Sequence, residues 1–212
     1  MRNQIVTIAF GRYIFAQNFQ QHMKTYSYPY LLTWIAKLLE GINTSHTNDD
    51  DDNKNVYIEL NLKRMERLDK TIVLRDEVVK VLEKIEQPQQ WIVITEAWCG
   101  DSAQSLPYIH KMAEVNPEKI KLDIILRDEN MDVMKNYQTK GTNSIPILVC
   151  RDEEGNDLFV WGPRPATANS MFNEWKNSDS RKEEFELQLH TWYTQDKGNE
   201  IQLEIKDLIE KL

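Results

Sequence analysis

Cysteine is scarce in this chain of 212 residues, and the negative charges outnumber the positive ones by eight. Two cysteines, Cys99 and Cys150, are too few for the disulfide framework of a small secreted protein, so they favour a reducing compartment. No stretch approaches the roughly 18 apolar residues that a membrane-spanning helix needs. Nucleic acid and anionic membranes attract basic surfaces, so an acidic chain is a poor match for either. We therefore expect a cytoplasmic protein that binds neither nucleic acid nor membrane.

A signal peptide and a metal site are also not expected. Arg12 interrupts the apolar run near the N-terminus, and no clear small-residue cleavage site follows it. The four histidines have no ligand spacing with one another or with the cysteines: His22, His46, His110 and His190. We expect no metal and no other cofactor. Hydrophobic residues make up 41% of the chain, which is enough for a buried core.

The first 88 residues are predicted to be largely helical. Apolar residues recur at helical spacing over residues 26–41, and those over residues 55–86 fit one or two amphipathic helices. Pro88 ends this part. We divide the chain into a helical extension, residues 1–88, packed on a core domain, residues 89–212, that carries an extra C-terminal helix.

A polar segment separates these N-terminal helices. It contains four consecutive aspartates, Asp49–Asp52. They lack the alternating ligand spacing and the turn glycine of a calcium loop. Since like charges repel and stay hydrated, a solvated loop is expected here.

After Pro88 the pattern changes to alternating strands and helices. The β-branched apolar run WIVITEAW indicates a buried strand. The predicted order is strand 91–98, helix 101–115, strand 120–126, short helix 130–138, hairpin 145–162, and helices 166–192 and 200–212. This order predicts an α/β protein with a mixed central sheet and helices on both faces.

The stretch WCGDS, residues 98–102, joins the first of these strands to its helix. A cysteine at a helix N-terminus faces unpaired backbone N–H groups and the positive end of the helix dipole, and both favour the thiolate. Lowering a thiol pKa from about 8.5 to about 7 raises the thiolate fraction at neutral pH from a few per cent to about half. The thiolate is the form that attacks disulfides, so Cys99 is the candidate nucleophile. The alternative is a small buried apolar residue.

The residues around Cys99 resemble those of thioredoxins. Trp98 precedes the cysteine and Gly100 follows it, and Pro107 stands eight residues after it, where thioredoxins have a helix-kinking proline. The resemblance covers residues 89–192. Together with the helical N-terminal part, the chain resembles bacterial thioredoxin-like proteins with a helical N-terminal extension.

The second half of the resemblance lies downstream. SIPILV is similar to the family segment that carries a cis-proline, which implies that Pro146 lies opposite Cys99. Gly162 follows sixteen residues later, at the interval found in thioredoxins. The family binds disulfides beside the backbone that precedes this proline. The resemblance thus implies a thioredoxin-like fold with these substrate-binding residues: Trp98, Gly100, Asp101, Ile145, Pro146 and Gly162.

Ser102 stands where a thioredoxin has its second, resolving cysteine. A hydroxyl forms no disulfide, but it can donate a hydrogen bond to the Cys99 thiolate, so we assign Ser102 a catalytic role beside Cys99. Val93 occupies the position of the family's buried acidic residue, which serves the resolving thiol. Cys150 is about 13 Å along the strand from Pro146, too far for direct pairing with Cys99, and is expected to be a buried strand residue. The motif is therefore monothiol.

Two charged residues near the motif allow more than one interpretation. Asp101 replaces the proline of thioredoxins. Its carboxylate suits a helix N-terminus as a cap, yet it disfavours a second negative charge on Cys99. We therefore expect only a modest decrease in the pKa of Cys99. Glu96 adds another nearby negative group, and the alternative is that its position in the strand turns it away. Arg164 is expected to be an ordinary loop arginine, and the alternative is contact with an acidic substrate group.

These observations predict a monothiol thiol–disulfide oxidoreductase. Cys99 would attack protein or low-molecular-weight disulfides or mixed disulfides, and a small thiol would complete the cycle. The motifs of glutaredoxins are missing, so neither glutathione nor an iron–sulfur cluster is implied. One alternative is a non-catalytic protein-binding module that presents the groove between Cys99 and Pro146. The other is a redox sensor in which Cys99 itself is oxidised or capped.

Overall fold

The structure is a computed structural model, and it describes residues 24–42 and 49–212. A four-stranded sheet with the order β2-β1-β3-β4 forms its centre. The strands are β1 (Gln89–Thr95), β2 (Ile120–Leu126), β3 (Ile147–Arg151) and β4 (Asp157–Trp161). Strands β1 and β2 are parallel, whereas β3 is antiparallel to both β1 and β4. The predicted mixed sheet is confirmed.

Helices lie on both sides of this sheet. In chain order they are α1 (Tyr28–Ile42), α2 (Asp49–Thr71), α3 (Asp76–Glu83), α4 (Gly100–Ala113), α5 (Met131–Met134), α6 (Ala166–Lys176), α7 (Lys182–Asp196) and α8 (Asn199–Ile209). The predicted α/β class is confirmed. The tail predicted as one helix over 166–192 is two helices, because the polar residues 177–181 form a turn between them.

Strand β1 is buried on both faces because both faces of the sheet are covered. Trp91 and Val93 belong to the large core formed with the N-terminal helices, α4 and α8. Ile92 and Ile94 belong to a second core, where they pack with Val133 of α5 and its neighbours. The nearly continuous apolar run of β1 follows from this double burial.

The prediction of a solvated loop is wrong for the four aspartates. Helix α2 already begins at Asp49, so Asp49–Asp52 lie in its first turns. Acidic residues are favourable in the first turn of a helix because of the positive end of the helix dipole. Residues 43–48 of the expected loop lie outside the described residues, as do His22 and His46.

The N-terminal helices are joined to the sheet and to the motif. Tyr26 exchanges two backbone hydrogen bonds with Ile124 of β2, at 2.8 and 2.9 Å. Helix α2 packs on α4, and its fully buried Asn61 donates a hydrogen bond to the Ala97 carbonyl at 3.1 Å. Helix α2 thereby holds the loop that carries Cys99. The division of the chain at residue 88 stays a prediction.

The C-terminal helices pack in two different regions of the protein. Helix α8 packs on α3, α4 and β4 and belongs to the main core. Helices α6 and α7 pack on each other and form a separate apolar cluster around Phe185 and Leu189. Within the described ranges, no helix has the length and apolar character to cross a bilayer.

Candidate functional site

Cys99 lies between the end of β1 and the first residue of α4. Its Sγ donates a hydrogen bond to the backbone carbonyl of Ile145 at 3.4 Å. The Ile145–Pro146 peptide bond is cis. Only 7% of the Cys99 surface is exposed, and Ile145 is buried as well. The fold thus places the cysteine directly against the backbone that precedes Pro146.

Gly162 allows its own backbone segment to pass close to Pro146. Its φ of +123° lies in a region that residues with a side chain rarely adopt, and a Cβ there would come within 2.3 Å of the Pro146 carbonyl oxygen. Glycine is therefore required for the close approach of the two backbone segments. Gly162 shapes the loop of Pro146, but neither residue lines the cavity described next.

A cavity of about 780 Å³ opens beside Cys99. Four of the predicted site residues line it together with the cysteine: Trp98, Gly100, Asp101 and Ile145. The opposite wall comes from α6 and α7, mainly through aromatic and aliphatic side chains: Phe172, Trp175, Phe185 and Leu189. The C-terminal helices therefore supply a second wall to an open cavity beside the cysteine.

The Asp101 side chain points into the protein and does not cap α4. It forms an ion pair with Arg164 at 2.5 Å and accepts a hydrogen bond from the Tyr193 hydroxyl at 2.9 Å. Both charged side chains of the pair are largely buried. The expectations of a capping aspartate and an ordinary loop arginine are thus wrong, because the loop after β4 and helix α7 converge on Asp101.

The pKa of Cys99 is raised to about 11, opposite to the expected decrease. Burial is the largest cause, and the Asp101 carboxylate is the second. The side chain and backbone amide of Ser102 lower the pKa, as does Arg164 more weakly, but they do not compensate. The sequence-based expectation failed because Cys99 packs into the second core with Ile145 and residues of β1, β2 and α5, and a motif alone does not reveal such burial.

Ser102 lies on the inner side of Cys99. It is 3% exposed, and its hydroxyl has no hydrogen-bond partner within the part of the chain that the structure describes. It faces a small void bounded by α1 and α2 rather than the large cavity. The hydroxyl is close enough to the Cys99 thiol to lower its pKa. Because it has no other partner among the described residues, it is able to donate a hydrogen bond to a Cys99 thiolate.

The other residues that were considered together with the motif have structural roles. Cys150 is fully buried, its Sγ donates to the Gln89 side chain at 3.3 Å, and burial raises its pKa to about 12. Both cysteines are free. The Glu96 carboxylate accepts a hydrogen bond from the Asp128 amide at 2.8 Å, and burial raises its pKa. Val93 is buried in β1, opposite Leu148.

Arg127 was not singled out by the sequence, yet it orders the edge of the cavity. Its guanidinium stacks over the Trp98 ring at 4.8 Å, forms an ion pair with Asp128 at 2.8 Å, and donates to the Asn143 carbonyl at 3.2 Å. Cation–π contact and ion pairing together fix the indole beside Cys99. Asp128 is the next residue in sequence, but Trp98 and Asn143 come from two other segments, so no local pattern indicates this role.

His190 of α7 packs over the start of α4. Its Nδ1 lies 3.5 Å from Nε2 of Gln104, and a Cβ added to Gly100 would be 3.2 Å from its ring. Burial, and then the nearby Arg64, lower its pKa to about 4. His190 is therefore neutral at physiological pH. Among the described residues, no group of His, Cys, Asp and Glu side chains could hold a metal ion.

We expect His190→Gln to reduce the loss of stability at acidic pH. The pKa of His190 falls from 6.5 to about 4 on folding, so its contribution is present above pH 6.5 and is lost as the pH falls towards 4. With allowance for partial solvent screening, the wild type should lose on the order of 1–2 kcal/mol relative to the variant across this window. Urea denaturation of both proteins at stepped pH measures the difference, and parallel curves would contradict the assignment.

These features define a class of protein. A mixed four-stranded sheet with helices on both faces, and a cysteine at the start of the helix after β1, is a thioredoxin-like fold. A sequence model of a protein family described as Thioredoxin matches residues 47–176, more than half of the chain. The chain belongs to this thioredoxin family. No significant match is found among curated proteins.

Solved structures agree with this fold. The crystal structure of an HIV epitope-scaffold matches with a TM-score of 0.54 at 19% identity, covering 74% of this chain and 91% of its own. A protein of unknown function from Pseudomonas aeruginosa matches with a TM-score of 0.53 at 18% identity, covering 88% of this chain and 98% of its own. At such identities the likeness extends to the fold alone.

Proposed function

We propose that this protein is a monothiol thiol–disulfide exchange protein in which Cys99 is the nucleophile. The observation that carries the proposal is the position of the Cys99 sulfur. Cys99 lines a cavity of about 780 Å³, and its Sγ lies 3.4 Å from the carbonyl oxygen of Ile145. A disulfide bound in that cavity would have its sulfur atoms beside Cys99 and its neighbouring polar groups beside the Ile145 backbone.

The chemistry balances without a second protein thiol. The Cys99 thiolate attacks one sulfur of a disulfide R–S–S–R′, so a Cys99–S–S–R bond forms and R′S⁻ leaves and takes up a proton. A small thiol R″SH, as its thiolate, then attacks the R sulfur of this mixed disulfide. R–S–S–R″ is released and the Cys99 thiol is restored. One disulfide is consumed and one is formed, so no other oxidant or reductant is needed. Ser102 would donate its free hydroxyl hydrogen to the Cys99 thiolate.

The raised pKa of Cys99 slows this reaction but does not exclude it. A thiol with a pKa of about 11 is ionised to about one part in 10⁴ at neutral pH. Its thiolate is also intrinsically more nucleophilic, by about 40- to 100-fold over a thiol with a pKa near 7. The net deficit is then about two orders of magnitude, which the proximity of a bound disulfide can offset.

A second candidate is ligand binding without turnover. The observation that favours it is the same burial that keeps the Cys99 thiol neutral, since a binding pocket needs no thiolate. In that case Cys99 would be one apolar contact among others. The two candidates differ in whether Cys99 forms and releases a mixed disulfide in the folded protein.

Mass spectrometry of the Cys150→Ser protein tests the proposal. Incubation of the folded protein with hydroxyethyl disulfide should add one hydroxyethylthio group at Cys99, and a monothiol should remove it. The Cys99→Ser variant should gain nothing, and Ser102→Ala should react about threefold to tenfold more slowly, because a hydrogen bond to the thiolate is lost. An adduct that forms only after urea denaturation would rule out exchange and leave binding without turnover.

A further inference from the structure

We infer that the substrates of this site are small disulfides with an aromatic substituent, and that helices α6 and α7 exclude disulfides of folded proteins. The inference rests on the proposed exchange at Cys99. It goes beyond it by naming the class of disulfide that the cavity takes. Size, the chemistry of the walls and the balance of charge each contribute to it.

Helix α7 restricts the space above the start of α4. The His190 ring is so close to Gly100 that a Cβ there would lie 3.2 Å from it. A disulfide in a folded protein carries backbone on both sides and needs more space than a small molecule. A small molecule needs only the cavity, whose volume of about 780 Å³ lies within the range of small-molecule sites, about 300–1,000 Å³.

The wall opposite Cys99 is mainly aromatic. The rings of Trp175 and Phe185 stack at 4.7 Å with an angle of 14°, and Phe172 meets Phe185 edge-on at 6.0 Å. Trp98 borders the cavity on the side of Cys99. Offset and edge-to-face contacts between rings are favourable beyond the burial of area alone. A planar aromatic group would therefore bind well between these two walls.

The charged side chains that border the cavity are largely matched to one another. Asp101 pairs with Arg164, Arg127 with Asp128, and Lys182 with Glu186, at 2.5, 2.8 and 3.4 Å. Two of the cations also stack on aromatic rings, Arg164 on Phe172 and Arg127 on Trp98. Binding a charged ligand would compete with these pairs. The cavity therefore suits an uncharged aromatic group.

The first experiment measures second-order rate constants of the Cys150→Ser protein with three disulfides. The probes are dipyridyl disulfide, hydroxyethyl disulfide and insulin, and each rate is divided by that of a short peptide containing AWCGDS. We expect the aromatic probe to be favoured over the aliphatic one by about tenfold after this correction, as expected for one well-packed ring. Insulin should not react. Equal corrected rates, or reaction with insulin, would overturn the inference and leave the exchange function in place.

Two substitutions locate the preference. Phe172→Leu keeps the apolar volume but removes a ring, so the corrected preference for dipyridyl disulfide should fall by about threefold or more. Leu187→Ala is the matched control, because Leu187 is 71% exposed on α7 and does not line the cavity. It should leave the preference unchanged. Equal effects of the two substitutions would contradict the aromatic wall as its source.

A binding measurement separates this inference from the proposed function. Dipyridylethane carries two pyridyl rings on a two-atom linker, as dipyridyl disulfide does, but has no sulfur. Calorimetry with the Cys99→Ser protein reports its binding without any thiol chemistry. We expect saturable binding that Phe172→Leu weakens and Leu187→Ala does not. Such binding with no adduct at Cys99 would overturn the exchange function and keep the aromatic ligand class. An adduct at Cys99 without any binding of dipyridylethane would keep the exchange function and overturn the aromatic ligand class.

Discussion

Replacing Arg164 with alanine should lower the free energy of unfolding by about 3–5 kcal/mol. Arg164 and Asp101 form a buried ion pair at 2.5 Å, with 14% and 8% of their side-chain surfaces exposed. Removing the guanidinium leaves the carboxylate buried without its cation, and the Tyr193 hydroxyl alone does not replace it. Urea denaturation followed by circular dichroism measures the loss. The slope of the transition should remain that of the wild type if the native fold persists.

A second ion pair of the same length provides the control. Arg181 and Glu184 also lie 2.5 Å apart, but their side chains are 77% and 49% exposed. Arg181→Ala should therefore cost about 0–1 kcal/mol, because an exposed pair is screened by water and salt. Similar costs for Arg181→Ala and Arg164→Ala would mean that Asp101 is hydrated in solution, contrary to the structure.

The double variant Asp101→Leu and Arg164→Met gives a further check. Replacing both members of a buried ion pair with apolar residues is often neutral or stabilising. We therefore expect it to be more stable than Arg164→Ala by about 3 kcal/mol or more. A double variant as unstable as the single one would indicate that packing around Arg164, rather than an unpaired charge, sets the cost.

The sequence was sufficient to predict the sheet and the place of the cysteine. The run WIVIT needs no tertiary information to be identified as a buried strand, since β-branched apolar residues on both faces fit only a covered sheet. The hairpin of β3 and β4 is likewise local, because Gly155 supplies the positive φ of its turn. The relation between Cys99 and Ile145 came from a family resemblance that spans both segments.

What sequence reasoning missed depends on contacts between distant segments. Asp101, Arg164 and Tyr193 come from three elements, and nothing in the local pattern around each one indicates the others. The aromatic residues of α6 and α7 predicted helices, but not the face of the core on which those helices pack. The direction of the Cys99 pKa shift was predicted wrongly because the dipole of α4 is a local property, whereas burial in the second core depends on contacts with distant strands and with α5.

The surroundings of Cys99 connect its burial with the proposed binding of a small disulfide. Helices α6 and α7 line the cavity with aromatic side chains, whereas the second core buries the thiol and raises its pKa. In the proposed exchange, a small disulfide would leave a small mixed disulfide, which an equally small thiol would reach through the cavity. The serine at position 102 is consistent with this mechanism, which needs no second protein thiol.

Alkylation of Cys99 should show an apparent pKa of about 11 in the Cys150→Ser protein. Rates of labelling with iodoacetamide across an alkaline pH series give this value directly, since only the thiolate reacts. Asp101→Asn should lower the pKa, because the carboxylate beside the sulfur is lost while Arg164 keeps its positive charge. Each unit of decrease raises labelling at a pH below both values by up to about tenfold.

The control for this experiment is Asp128→Asn. Asp128 also borders the cavity, but its side chain is 57% exposed and it is not among the main causes of the pKa shift at Cys99. Its substitution should leave the pKa of Cys99 unchanged. An apparent pKa near or below 7 in the wild type would mean that the dipole and Ser102 outweigh burial, and that the thiol is already poised for attack. A pKa that Asp101→Asn does not lower would show that burial alone holds the thiol neutral.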